Sequence, residues 1–422
     1  MGALANCGAE QVLASAAASL TTSGLLRALA LVSPPIATRS PGAAATRRAL
    51  AGRALLGVLT LVALGMLVAE VHLRRSIHPP TSARFPFAQP GLLRSVVEVT
   101  RPVLGLEPRR VVVRTNALGL RGDDLDLADH QTLRVVTLGG SVTECLLLDD
   151  ADTWPRRLQD VLGARAHRRV WVGNAARSGQ LTLDYIAHAR TLLPALEPDL
   201  VIVMSGGNDL QAAIEERLLP IDLSDPTTLA RYASRLYGPG DLDGLHASYV
   251  TFWLERYVSG SSQDFAPLYA RMAQRRRQAR TLEEIPFLTD AIDVYRANLL
   301  QLIAALRQLP THPRVLFVTH PALWKPDMSA RELDALWAGY TCMQCEHPEY
   351  YSPRALAEAL QAFNRELLAV CASTRVPCYD LATHVPRTLD TFYDDAHLRE
   401  AGAQLVANTV GGFVNSHEML NR

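Results

Sequence analysis

Five short apolar runs punctuate the chain between residues 133 and 380, each leading into small or polar residues: Leu133–Leu138, Val170–Val172, Leu200–Met204, Val315–Thr319 and Val376–Asp380. Runs of this length, rich in Val, Leu and Ile and lacking the polar alternation of a half-solvated strand, predict parallel strands buried on both faces. Pro377 cannot donate to a ladder, which makes the last run the weakest of the set. Between the runs the apolar period lengthens to that of helices. Trp154–Leu162 has Thr153 as its cap and Pro155 in its first turn, and Ala213–Leu218, Pro286–Leu309 and Leu398–Val406 follow the same pattern. Strands alternating with helices predict a doubly wound α/β sandwich, whose ligands sit beyond the carboxyl ends of the strands.

Four segments at such strand ends, or in a loop just ahead of a helix, carry the candidate chemistry. They are Gly139-Gly140-Ser141, the stretch from Asn174 to Gly179, Gly206-Gly207-Asn208-Asp209, and Asp394-Asp395-Ala396-His397. A serine hydroxyl is a weak nucleophile, so acyl transfer needs a positioned base and a third group that fixes the imidazole tautomer. Asp394 and His397, three residues apart, can be presented to one cleft by a single turn. The tetrahedral intermediate needs donors aimed at its oxyanion, each worth roughly 10²–10³ in rate. The backbone N–H groups of Ser141 and Gly179 and the amide of Asn208 are the candidates. Glycine at 179 lets the backbone approach a substrate closely. Taken singly, each segment reads as an ordinary turn. Their order and context make the chemical reading.

Those residues resemble the SGNH hydrolases of the GDSL esterase and lipase superfamily. Ser141 matches the nucleophile of block I, Gly179 the glycine of block II, Asn208 the asparagine of block III, and Asp394 with His397 the Asp-x-x-His of block V. Asn116-Ala117-Leu118-Gly119-Leu120-Arg121-Gly122 is similar to a segment that often precedes block I in bacterial members. The usual Gly-Asp-Ser-Leu is here Gly139-Gly140-Ser141-Val142, so the nucleophile turn must be held without the aspartate's local hydrogen bonds. The resemblance implies a three-layer α/β/α sandwich with a mostly parallel, flavodoxin-like five-stranded sheet. It also implies a serine esterase or deacylase that works through an acyl-enzyme on an acetyl or short-chain ester of a small molecule, envelope glycan or lipid, with no cofactor and no metal. Two other readings stay open: an O-acyltransferase of an envelope polysaccharide using the same triad, and a catalytically inactive binding module. Asp209 reads as a brace of its turn, Asp395 as a solvated neighbour of Asp394, and His320 as structural or as part of the substrate rim.

The remaining sequence sets the organisation. The 422 residues carry no net formal charge and few aromatics, which gives no nucleic-acid surface. Residues 1–48, rich in Ala, Ser, Thr and Pro, read as a mostly disordered tail. The charge-free run Ala54–Ala69, widened by its flanks to residues 49–73, approaches the length of about 20 residues that spans a bilayer. A cleaved leader is disfavoured because no small-residue cleavage site follows. The expectation is a single-pass anchor with the N-terminus inside and the hydrolase outside the cytoplasm. Residues 74–130 form a lead-in and 131–418 the hydrolase domain, with a helical insertion at about 210–313 and a second one at Pro326–Ser352. Aromatics at Tyr237, Tyr249, Phe252, Trp253 and Tyr257 suit a substrate cap or plain packing equally. The run Arg275–Arg277 reads as a solvated helix face. Of six cysteines, Cys342 with Cys345 and Cys371 with Cys378 form close pairs that suit extracytoplasmic disulfides, free thiols, or a zinc site with His347. Cys7 and Cys145 are left over.

Overall fold

The computed structural model of the chain describes residues 41–76, 94–116, 118–237, 250, 262–343 and 345–420. Cys7, most of the expected tail, and the aromatics Tyr249, Phe252, Trp253 and Tyr257 lie outside them. The first helix, α1 (Pro41–Ser76), begins ahead of the expected anchor and takes in the last residues of the expected tail. Its stretch Gly52–His72, 21 residues with mean hydropathy 2.3, is long and apolar enough to cross a membrane. The leucines and valines from Leu55 to Val71 are exposed.

From Arg94 onward the order is β1 (Arg94–Val99), β2 (Arg109–Arg114), β3 (Leu133–Leu138), α2 (Ser141–Glu144), α3 (Trp154–Gly163), β4 (Val170–Asn174), α4 (Thr182–Thr191), β5 (Leu200–Met204), α5 (Gly207–Ile214) and α6 (Pro226–Tyr237). Next come β6 (Ser262–Asp264), α7 (Ala266–Gln278), β7 (Thr281–Leu282), α8 (Leu288–Arg307), β8 (Arg314–Val318), α9 (Ala330–Asp334), β9 (Tyr350–Tyr351), α10 (Pro353–Thr374), β10 (Cys378–Tyr379) and α11 (Glu400–Ser416).

Five strands make one parallel sheet in the order β10-β8-β5-β3-β4. Every residue of β3, β4 and β5 is buried, as expected of strands covered on both faces. One face carries α3 packed on α11, while α4, α8 and α10 pack together on the other. The helices of the first pair approach closely at Gly411, where a Cβ would lie 2.5 Å from Val161 Cγ1. Relabelled in chain order, the five strands run 2-1-3-4-5, so the first and third, β3 and β5, flank the point where the winding reverses. Ser141 follows one of them and Asn208 the other.

Three departures from the sequence expectation have physical causes. The helix expected at Ala213–Leu218 lies earlier, over α5, because Gly206 at φ +104° turns the chain directly out of β5. The strand expected over Val376–Asp380 shrinks to β10, since Pro377 has no N–H; its carbonyl accepts from Phe317 N at 3.0 Å instead. The lead-in is not mere connection: β1 pairs antiparallel with β2 and parallel with β6, a second sheet with its own small apolar cluster around Val97, Val111 and Tyr269. Nothing local in the sequence marks a pairing between strands more than 160 residues apart.

Candidate active site

At the end of β3 the chain turns through Gly139 and Gly140 into α2, whose first residue is Ser141. A Cβ on Gly139 would lie 2.2 Å from Thr143 Oγ1, and one on Gly140 2.2 Å from Asn208 Nδ2. An aspartate at 140 therefore has no room, and the turn is held from other directions. Gly140 O accepts the N–H groups of Thr143 (3.0 Å) and Glu144 (2.9 Å). Arg121, 2% exposed, donates Nη1 to the carbonyls of Glu144 (2.7 Å) and Cys145 (2.8 Å), Nη2 to Leu148 O (2.5 Å) and Nε to Asp150 Oδ1 (2.7 Å). It thus satisfies carbonyls that a one-turn helix leaves without partners. Glu144 Oε2 accepts from the N–H (2.7 Å) and hydroxyl (2.6 Å) of Ser178, tying α2 to the loop that carries Gly179.

Ser141 Oγ lies 2.8 Å from His397 Nε2, and His397 Nδ1 lies 2.7 Å from Asp394 Oδ2. The carboxylate on Nδ1 leaves Nε2 free to accept the serine proton. Asp394 is fully buried; its Oδ1 accepts the backbone N–H groups of Ala396 (3.1 Å) and His397 (2.8 Å), and its Oδ2 also accepts Trp337 Nε1–H (3.0 Å). Burial pushes the Asp394 pKa up, but adjacent His397 and these donors outweigh it and hold it below the usual carboxylate value. Burial likewise pulls His397 down, and the carboxylates of Asp394, Asp395 and Glu144 outweigh it, so the imidazole sits above its ordinary value.

The candidate oxyanion donors converge from three strand ends. Gly179 has φ +80°, and a Cβ there would meet nothing within 4 Å, so the side a side chain would occupy is open. Asn208 gives one amide hydrogen to Gln180 O at 2.8 Å, which fixes the amide plane between the Gly179 loop and Gly140. Asp209, fully buried, accepts from Thr182 N (3.1 Å), Thr182 Oγ1 (3.0 Å) and Gly206 N (3.3 Å), bracing the turn ahead of α5. Burial pushes its pKa up to about 6.

Ser141, Gly179, Asn208 and His397 border a cavity of about 280 Å³. Its walls are largely aromatic and aliphatic, with Leu146, Phe265, Leu268, Tyr269, Trp337 and Tyr340, while Gln211, Glu215 and Arg217 supply polar edges. His320 borders it too: its ring packs on Gly207, its backbone exchanges two hydrogen bonds with the Asn364 amide, and burial followed by nearby His397 lowers its pKa to about 4. A larger cavity of about 380 Å³, between Pro102–Gly105, α7 and Arg399, touches none of the four.

Two sequence expectations need correction. Asp395 is not solvated: it is 2% exposed and accepts from Trp324 Nε1 (2.8 Å), Trp337 N (2.8 Å) and Ala338 N (3.1 Å), so it fastens the segment after β8 beside the triad. Arg275 and Arg276 are not a solvated face either. Arg275 donates to Met343 O and Cys345 O, and Arg276 to Ala338 O and Tyr351 O while covering the Tyr350 ring, so both hold that same segment down. Cys342 is joined to Cys345 and Cys371 to Cys378, while Cys145 is a buried free thiol. Among the described residues no group of His, Cys, Asp and Glu could hold a metal. Sequence reasoning missed the roles of Glu144 and Trp337, and quoted Arg121 in its motif without a role. Glu144, one turn after Ser141, had a local signal; Trp337 had none.

Residues 137–405 match the GDSL-like lipase/acylhydrolase family, and the chain belongs to that family. It is an ester-hydrolysing enzyme of the SGNH type. Among solved structures it is similar to an acetylxylan esterase from Geobacillus stearothermophilus, at 14% identity over 67% of this chain and 93% of that one, with TM-score 0.36. It is also similar to an alpha/beta hydrolase enzyme from the metagenome of Lake Arreo, Spain, at 18% identity over 69% and 97%, with TM-score 0.37. No curated protein matches it.

Proposed function

We propose that the chain is a serine esterase that cleaves an acetyl or short-chain acyl ester through an acyl-enzyme. The observation that carries this reading is the unbroken relay from Ser141 Oγ through His397 to Asp394, at 2.8 and 2.7 Å. In the first half-reaction His397 Nε2 takes the Ser141 proton as Oγ attacks the ester carbonyl, and the imidazolium then protonates the departing alkoxide. The Ser141 and Gly179 N–H groups and the second Asn208 amide hydrogen receive the oxyanion. In the second half His397 activates water to release the acid. Transfer to a sugar hydroxyl in place of water would use the same groups. The aromatic walls suit a glycan or acyl chain on a cell-envelope ester, and His320 serves as a rim contact. The apolar α1 stretch supports anchoring in a membrane, and the reading places the hydrolase outside the cytoplasm. The Cys342–Cys345 and Cys371–Cys378 links fit an oxidising compartment.

Ser141→Ala and His397→Ala should each remove nearly all turnover of 4-nitrophenyl acetate while the thermal transition stays close to wild type, because nucleophile and base act as one unit. Activity within about tenfold of wild type in either variant would overturn the mechanism.

A further inference from the structure

The segment between α9 and β9 meets the relay at the side chain of Trp337. Asp394 and its neighbour Asp395 grip that residue at both ends. Asp395 Oδ2 accepts the Trp337 backbone N–H at 2.8 Å, and Asp394 Oδ2 accepts the indole N–H at 3.0 Å. The indole lies parallel to the His397 ring, at 6.5 Å and 6°, and between Tyr269 (5.4 Å) and Tyr340 (6.5 Å). Packing alone would not require the one polar atom of the ring to meet a fully buried carboxylate. We propose that Trp337 is a positioning residue of the relay, whose N–H holds the Asp394 carboxylate in line with His397 Nδ1 and tempers its pull on the imidazolium.

This inference rests on the triad reading above and deepens it. Asp394 Oδ2 is shared between two donors, His397 Nδ1 and Trp337 Nε1. A second donor draws charge from the oxygen that stabilises the imidazolium, so removing it should make His397 bind its proton more tightly. The other groups that bear on His397 are the carboxylates of Asp395 and Glu144, the His320 imidazole, and the stacked Tyr393 ring. Arg276 faces Asp395, and Tyr269 lies beside Tyr393. None of these groups is removed by a change at Trp337. A base must be neutral to act, so a higher imidazole pKa moves the acid limb of the rate profile to higher pH.

The test is kcat/KM for 4-nitrophenyl acetate against pH, with the full-length enzyme in detergent. In Trp337→Phe, which keeps a ring but loses the donor, the acid limb should rise by about half a pH unit and kcat should fall several-fold. Trp337→Gln and Trp337→Met guard against a fold effect. The Gln side-chain nitrogen is as many bonds from Cα as the indole Nε1, and Met has the same length without a donor. Gln should bring the limb back toward wild type and Met should not. An unmoved limb in Phe and Met, or the same limb in Gln and Met, overturns the inference. Ser141→Ala, run in parallel, separates the two levels. Retained activity there sinks the triad and this inference with it, whereas an inactive Ser141→Ala beside unmoved Trp337 profiles sinks this inference alone.

Discussion

Gly140 and Asn208 compete for one volume, and the glycine yields it. With a Cβ at 140 only 2.2 Å from Asn208 Nδ2, Gly140→Ala must push the amide off the plane set by Gln180 O. The nucleophile and base remain in place, so the loss falls on charge stabilisation in the transition state. We expect kcat to drop by about two orders of magnitude with KM nearly unchanged, as when an oxyanion donor is removed. Steady-state kinetics on a soluble acetate ester checks this, and a pure KM effect would make Asn208 a ground-state contact instead. At this scale the sequence was legible where a residue's signal is local. Ser141, Asn208, Asp394 and His397 each sit in a short turn with a recognisable composition. Trp337 and Asp395 meet across 58 positions, through a segment whose path no local pattern specifies, and they were misread or missed for that reason.

The helix α2 is four residues long, too short to sustain itself, and its carbonyl end relies on Arg121. Arg121→Met keeps much of the side-chain volume but leaves the carbonyls of Glu144, Cys145 and Leu148 buried without this donor. The expected cost is about 3 kcal/mol, read as a lower urea midpoint with an unchanged slope, together with a fall in kcat as Ser141 loses its register. Element by element, β3, β4, β5 and β8 were legible because burial on both faces leaves a continuous apolar run. The sheet formed by β1, β2 and β6 was not, because its strands are polar on one side and its partners are remote in sequence. Arg275 and Arg276 of α7 were misjudged on similar grounds, whereas Arg277 is exposed as expected. A charge run on a helix reads as solvated until another segment is known to lie over it.

At the scale of the whole molecule, the chain has an apolar helical stretch long enough to cross a membrane and, after it in sequence, a hydrolase domain. Full-length protein should sediment with membranes and resist carbonate extraction. A chain beginning near Ser76 should be soluble and active, since every residue of the candidate site lies beyond that point. A reporter fused after Arg422 should register outside the cytoplasm, and cytoplasmic signal would overturn the proposed orientation while leaving the chemistry untouched.

Ser141 and His397 are 256 positions apart, and the base arrives on the last loop before the final helix. Under the proposed relay, the order of synthesis acts as a safety catch. A ribosome-bound or half-exported chain displays its serine long before the His397 imidazole exists to activate it. Esterase activity should then appear only once the closing residues have emerged, so stalled chains would be inert toward the acyl esters of the compartment in which they are made.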